Sequence, residues 1–98
     1  MAIVKVKLTP FYHTHHRYES SNQDFVRTYK QTYSVQAVFE VEQSGEAAAE
    51  EVFDLTGNPS RQAERDEKYG SHRSVSVGDI IEVDGIDYFC APIGWEVV

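Results

Sequence analysis

Apolar and polar residues alternate along two segments of the chain, and such alternation is typical of half-buried β-strands. Residues 3–8 place Val4, Val6 and Leu8 on one face and two lysines on the other. Residues 33–41 repeat the pattern, with polar side chains mostly outward. Their predicted inward positions are Val35, Ala37, Phe39 and Val41. Both segments are therefore predicted to be strands with one face against the core.

A third apolar region, near the C-terminus, has the pattern of a β-hairpin. Two runs of strand-forming residues, 80–83 and 86–90, flank Asp84 and Gly85. A type I′ turn needs positive φ at both central positions, and Asp-Gly is one of the pairs that adopt it most readily. We therefore predict a hairpin around Asp84-Gly85, followed by a short last strand over residues 94–98.

Residues 46–56 have helical spacing of their apolar positions and are predicted to form the one main helix. Ser44 is a suitable N-cap for this helix. Gly57, with Pro59 two residues later, is a typical C-terminal signal. Gly57 is accordingly predicted as the first residue beyond the helix.

Two segments are ambiguous. Residues 60–69 are almost wholly polar and fit either a short surface helix capped by Ser60 or an ordered extended arm. Residues 11–32, here called the excursion, show neither the alternation of a strand nor the apolar spacing of a helix. They fit an irregular segment with a short helical turn after Asn22, or a ragged hairpin.

Together these elements predict one domain, residues 1–98, of the α+β class. The expected architecture is a small antiparallel or mixed β-sheet with the main helix (about residues 46–56) on one face and the Asp84-Gly85 hairpin at the C-terminal end. A chain of this length can bury a single core without metal ions or disulfides.

The formal net charge of -7 argues against general nucleic-acid binding, which needs a basic surface. The charge is unevenly spread, because residues 1–36 carry five basic and two acidic residues, a balance of +3. Residues 37–98 carry four basic and fourteen acidic residues, a balance of -10. A basic contact surface on the N-terminal part is therefore compatible with an acidic protein.

The cellular compartment is predicted from three features that the sequence lacks: a membrane span, a signal peptide and a pair of cysteines. No apolar run approaches the ~20 residues needed to span a bilayer, and the start has no signal-peptide pattern. Cys90 is the only cysteine, so no internal disulfide can form. We expect a protein of the reducing cytoplasm without a membrane partner.

The second half of the chain resembles a known group. Residues 52–61 (VFDLTGNPSR), 73–85 (RSVSVGDIIEVDG) and 88–95 (YFCAPIGW) together resemble the YodL-like group of small proteins. The resemblance covers about residues 50–98 and implies an origin on a phage, a plasmid or an integrative element. It implies no activity and no site residues. The Val77-Gly78-Asp79-Ile80 stretch is also a common way to begin a strand, with Asp79 accepting hydrogen bonds from nearby backbone N–H groups.

Candidate chemistry is sparse. His13 and His15 would share one face of a strand and could bind a metal ion, but a third ligand such as His72 would have to come from a distant position. Cys90 lies in an apolar strand, where a thiol is usually inert. Trp95 is predicted to pack over the helix or the hairpin with its N–H on an acceptor. Since no catalytic motif is present, we expect no enzyme activity, no cofactor and no metal, with a metal-dependent enzyme as a remote alternative.

The excursion interleaves aromatic, histidine and basic side chains. This mixture fits core packing, a protein contact surface, or nucleic-acid binding through residues 5–30. We predict a non-enzymatic protein-interaction module, as a monomer or as a homodimer joined at edge strands. The candidate interaction residues are Arg17, Tyr18, Arg27, Tyr29, Arg61 and Arg65.

Overall fold

Five strands form one antiparallel sheet in the order β2-β1-β3-β4-β5, so β2 and β5 are its edges. The computed structural model describes all residues, 1–98. The strands are β1 (Ala2–Leu8), β2 (Ser34–Val41), β3 (Ile80–Val83), β4 (Ile86–Cys90) and β5 (Trp95–Val97). The helices are α1 (Gln23–Tyr29), α2 (Gly45–Gly57) and α3 (Gln62–Lys68). This arrangement confirms the predicted α+β class, with a sheet that is antiparallel throughout.

Helix α2 covers one face of the sheet, as predicted for the main helix. Its Ala48, Ala49 and Val52 are fully buried. They share a core cluster with residues of β1 and β3, namely Val4, Val6, Ile81 and Val83. Each fully buried valine or isoleucine side chain contributes about 1.5–3 kcal/mol of transfer free energy, so this cluster is the main source of stability.

The other face of the sheet is covered at one end by α1 and its flanking turns. Val26 of α1 packs in a second core cluster with Tyr33, Ile80 and Phe89. Phe89 and Ile80 are fully buried, and they are paired neighbours on β4 and β3. The sheet is therefore sandwiched between α2 and the excursion.

The hairpin is confirmed in detail. Asp84 has φ 48° and Gly85 has φ 89°, so both turn residues have the positive φ of a type I′ turn. Ile81 pairs with Tyr88 and Val83 with Ile86 across β3 and β4.

Strand β2 departs from the predicted alternation near its start. Val6 of β1 pairs with Ala37, but the next residue, Lys7, pairs with Val35. The extra residue on β2 is a β-bulge, which turns the strand locally. Val35 therefore lies on the outward face with Lys7 and is 46% exposed. Its predicted inward orientation is wrong.

The C-terminal end of α2 also differs from the prediction. Gly57 belongs to the helix and has no positive φ, so its predicted place beyond the helix is wrong. The helix ends at Asn58, whose backbone N–H donates to the carbonyl of Asp54 at 2.9 Å. The Asn58 side chain then accepts the N–H of Ser60 and begins a 3-10 turn over Pro59–Arg61. Asn58 thus has the capping role that was predicted for Ser60.

Both ambiguous segments are helical in part. Residues 62–68 form the short helix α3 instead of an extended arm. In the excursion, Asn22 caps α1 by accepting the N–H groups of Asp24 and Phe25, which confirms the predicted helical turn. None of the helices has both the length and the apolar character needed to cross a membrane.

Candidate functional site

A cleft of about 220 Å³ opens between α2 and the turn that joins β4 to β5. We call it the α2 cleft. Its wall is largely apolar, and one carboxylate, that of Glu50, lies among the lining side chains. The residues that matter here are Glu50, Phe53, Val77, Cys90, Pro92 and Trp95. A concave, mostly apolar wall with a single polar group is the usual form of a binding site.

Trp95 is fixed on one side of the α2 cleft. Its indole Nε1 donates a hydrogen bond of 2.7 Å to Oε2 of Glu50. Its ring meets Phe53 edge to face, with ring centroids 6.2 Å apart. Trp95 is the first residue of β5 and pairs with Cys90 of β4. These contacts confirm the prediction that the ring packs over the helix with its N–H satisfied, and they make this wall rigid.

Cys90 lines the same cleft but is only 5% exposed. Burial raises the pKa of its thiol to about 12, and the nearby charges of Asp79 and Glu50 act in the same direction. A thiol of this kind is almost wholly protonated at neutral pH and is a poor nucleophile. The predicted burial of Cys90 in a strand is confirmed.

Apolar side chains extend the cleft outward over the surface. Ile93 follows Pro92 in the turn and is 92% exposed, and Phe53 and Val77 are also exposed. Val77 borders a second hollow, of about 350 Å³, whose other wall includes Arg17 and Tyr18. We call the whole region the Val77 surface, made of Arg17, Tyr18, Phe53, Val77, Ile93 and Trp95. Exposed apolar side chains grouped around a cleft are a common feature of interaction sites.

The excursion is anchored where it reaches this surface. The ring of Tyr12 lies between two guanidinium groups, at 4.4 Å from Arg17 and 3.9 Å from Arg73. Ser20 is buried against Gly78. Arg17 and Tyr18 are thus held beside Val77 by contacts on both sides of them in the chain.

The six predicted interaction residues do not form one surface. Arg17 and Tyr18 lie together on the Val77 surface. Tyr29 belongs to a separate aromatic group with Phe25, and Arg27 pairs with Asp24 at 3.3 Å.

Arg61 and Arg65 connect α3 to the rest of the fold. Arg61 contacts the carboxylates of Glu51, Asp54 and Glu64, at 2.7, 2.8 and 2.9 Å. The hydrogen bonds that Arg61 donates to these carboxylates raise the pKa of its guanidinium group, and the bond to Glu51 has the largest effect. Arg65 donates to the carbonyls of Thr56, Gly70 and His72. Both guanidinium groups therefore have internal partners.

The three lysines of the nucleic-acid alternative also have acidic partners. Lys5 and Lys7 pair with Glu82, and Lys7 and Lys30 pair with Asp87. The charge of these lysines is thus balanced within the protein, whereas Arg17 stacks on Tyr12 without an acidic partner. No three His, Cys, Asp or Glu side chains come close enough to hold a metal ion.

Four residues of the Val77 surface, Phe53, Val77, Ile93 and Trp95, were not among the predicted interaction residues, and neither was Arg73, which supports the excursion beside it. Ile93 stands between a proline and a glycine, and an apolar side chain in a tight turn is a signal of exposure that could have been used. Arg73 gave no signal, because its importance depends on Tyr12 and Asp79, which only the fold brings to it.

Fold and site together define a small α+β protein with an exposed apolar and aromatic surface next to a cleft. Comparisons with protein-family models, curated proteins and solved structures found no match to this chain. The resemblance of residues 50–98 to the YodL-like group therefore stays a prediction.

Proposed function

We propose that this protein is a non-enzymatic interaction module that binds a segment of a partner protein at the Val77 surface. The observation that carries this proposal is the exposure of Ile93, 92%, beside a cleft that is already lined by apolar and aromatic side chains. Burying such a patch on association is favourable, since apolar area removed from water contributes roughly 25 cal/mol per Å². Aromatic and arginine side chains such as Trp95, Tyr18 and Arg17 are the types enriched at protein interfaces.

The chemistry of the cleft indicates which partner segment would fit. Its volume of about 220 Å³ suits one or two apolar side chains. Glu50 lies at its edge, and Glu46 is also exposed along α2. A segment with an apolar anchor next to a lysine or arginine would place its cation near these carboxylates. The net charge of -7 would steer such a segment toward the protein, more strongly at low salt.

The resemblance to the YodL-like group would add an origin on a phage or another mobile element to this proposal. A nucleic-acid partner has less support, because the lysines at positions 5, 7 and 30 are paired with acidic side chains. Binding of a nucleic acid is one of the outcomes that the following experiment distinguishes.

The proposal is tested by selecting peptides from a random displayed library on the immobilised protein. Peptides that also bind the Ile93→Asp variant are removed by counter-selection. Ile93→Asp places a charge in the turn beside the α2 cleft, at a fully exposed position outside the core. Val38→Asp is the matched control, because Val38 is also apolar and 56% exposed but lies on the outward face of β2. The selected peptides are then titrated against all three proteins at low and high salt.

We expect peptides with an apolar residue beside a basic one, bound at least about 10-fold more weakly by Ile93→Asp and equally well by Val38→Asp. Selection of acidic peptides, or of peptides that bind Ile93→Asp as well as the native protein, would overturn the proposal. Tight binding of single-stranded DNA or RNA in place of any peptide would favour the nucleic-acid alternative.

A further inference from the structure

A second site lies on the excursion and shares no residue with the Val77 surface. A hollow of about 200 Å³ is lined by Phe11, His16, Glu19, Phe25 and Tyr29. We infer that this hollow binds a methylated or quaternary ammonium group.

Three aromatic rings form its walls. The ring centroids of Phe11 and Phe25 are 5.2 Å apart, those of Phe25 and Tyr29 are 4.7 Å apart, and those of Phe11 and Tyr29 are 5.9 Å apart. Their planes are inclined by 46° to 75°, so the rings pack on one another edge to face or tilted, and all three line the hollow. Tyr29 is 43% exposed, so this group is not simply a closed part of the core. The negative faces of several rings around one space attract a cation.

Glu19 supplies a carboxylate at the rim. Its Oε2 lies 3.0 Å from Nδ1 of His16, while Oε1 accepts no hydrogen bond within the protein. The side chain of Glu19 is 56% exposed, so a bound cation would reach it without disturbing the fold. An acidic group beside aromatic walls distinguishes a site for a cation from one for a neutral apolar ligand.

No lysine or arginine of the protein occupies these rings, and the imidazole of His16 lies at one side of the hollow, stacked on Phe25 with ring centroids 6.5 Å apart. Stacked arginines are found elsewhere, with Arg17 and Arg73 on Tyr12 and Arg65 on Tyr69. Arg27, on the same helix as Phe25, is turned toward Asp24. Because lysine and arginine bind best where hydrogen-bond acceptors surround them, a wall made mostly of rings favours an ammonium group whose protons are replaced by methyl groups.

The site is tested by NMR titration of the full chain with tetramethylammonium and, separately, with 3,3-dimethylbutan-1-ol, a neutral molecule that carries the same branched shape. We expect the cation to shift the ring signals of Phe11, Phe25 and Tyr29, and to bind about 10-fold more tightly than the neutral molecule. Equal binding of the two, or no shift of these rings with the cation, would overturn the inference.

Two variants make the test specific. Phe25→Leu keeps an apolar side chain but removes a ring and is expected to weaken cation binding by about 5-fold, whereas Phe53→Leu in the α2 cleft is expected to leave it unchanged. Glu19→Gln, at an exposed position, is expected to weaken binding without affecting folding, and it decides the matter if Phe25→Leu fails to fold. Unchanged binding by both Phe25→Leu and Glu19→Gln would contradict the assignment.

The natural source of the cation is distinguished with two further probes. A peptide containing trimethyllysine and free phosphocholine carry the same ammonium group on different carriers. Tighter binding of the peptide would identify a methylated protein as the ligand, and tighter binding of phosphocholine would identify a choline headgroup. Binding of neither, with tetramethylammonium also failing, would remove the site altogether.

Discussion

Arg73 and Asp79 form a bidentate ion pair in which Nη1 and Nη2 of the guanidinium lie 2.7 and 2.6 Å from the two carboxylate oxygens. Asp79 is completely buried and also accepts the backbone N–H groups of Thr9 and Ser76. The pair therefore joins the end of β1 to the segment that begins β3. On its other side Arg73 supports the ring of Tyr12 and with it the excursion.

The first prediction concerns this pair. Asp79→Asn keeps the shape but removes the buried charge, and we expect it to lower the free energy of unfolding by about 3 kcal/mol, as measured by urea denaturation. The reason is that Arg73 and two backbone donors lose an acceptor that the interior cannot replace. A loss below about 1 kcal/mol would show that the pair is not important for stability.

The matched control is the exposed pair of Arg27 and Asp24, at 3.3 Å. Arg27→Met should cost at most about 0.5 kcal/mol, because solvent screens surface pairs and ordering their side chains has an entropic cost. Arg73→Met should be as harmful as Asp79→Asn, since it leaves the carboxylate without its cation. The double variant should then lose less than the sum of the two single losses.

The second prediction concerns Gly78, where the excursion approaches the strand most closely. Gly78 has φ +99°, and a Cβ there would lie 2.9 Å from Oγ and 3.1 Å from the carbonyl oxygen of Ser20. The carbonyl of Gly78 also accepts the hydroxyl of Tyr33 at 3.0 Å. We expect Gly78→Ala to destabilise the protein by about 1–3 kcal/mol and to speed amide hydrogen exchange in the excursion.

Gly57→Ala is the control for this substitution. Gly57 lies in the last turn of α2 without positive φ, and a Cβ there would meet nothing within 4 Å. Alanine has a higher helix propensity than glycine, so this variant should be more stable by up to about 1 kcal/mol. If Gly78→Ala were as stable as the native protein or more stable, the close approach of Ser20 to Gly78 would be refuted.

Local patterns were sufficient to predict most of the elements. Alternation identified β1, and Asp84 and Gly85 identified the hairpin, since each signal lies within a few residues of the structure it determines. The helical turn after Asn22 was one of two alternatives for the excursion, and α1 confirms it. Val35 was misplaced because the bulge in β2 depends on pairing with Lys7, which is distant in sequence. Local signals cannot report such a register shift.

The site was predicted less well than the fold, for the same reason. Phe53, Val77 and Trp95 come from three separate parts of the chain, and only folding brings them to one cleft. Arg61 was predicted to be an interaction residue, but Glu51 and Asp54 reach it from the preceding helix and pair with its guanidinium group. Composition identified the types of side chain at the surface but not which of them have internal partners.

The third prediction concerns pH. Burial of Asp87 disfavours its charged form, but hydrogen bonds from Lys7 and Lys30, at 2.9 and 3.1 Å, outweigh that effect and lower its pKa. A carboxyl whose pKa is lower in the folded state stabilises the fold above the ordinary value of about 4 and loses this contribution as the pH falls through the folded pKa.

We therefore expect Asp87→Asn to be less stable than the native protein at pH 7, and the difference in urea midpoint to shrink as the pH approaches about 2. Asp24→Asn, at a carboxylate that is 90% exposed, should show a much smaller difference at every pH. A difference for Asp87→Asn that stays constant down to low pH would mean that Lys7 and Lys30 do not hold the carboxylate in its charged form.

The fourth prediction uses the thiol of Cys90 as a reporter of the α2 cleft. With its pKa raised to about 12 by burial, only about one thiol in ten thousand is ionised at pH 8. Iodoacetamide should therefore modify the native protein very slowly, and the rate should rise about 10-fold per pH unit until the fold is lost. In urea the pKa returns to about 8.5 and modification should become rapid.

Ile93→Asp, which alters the surface beside the cleft but not its floor, should leave the slow native rate unchanged. Rapid modification of the folded native protein at pH 8 would show that the cleft opens to its floor, and the α2 cleft could then no longer be treated as a rigid binding surface.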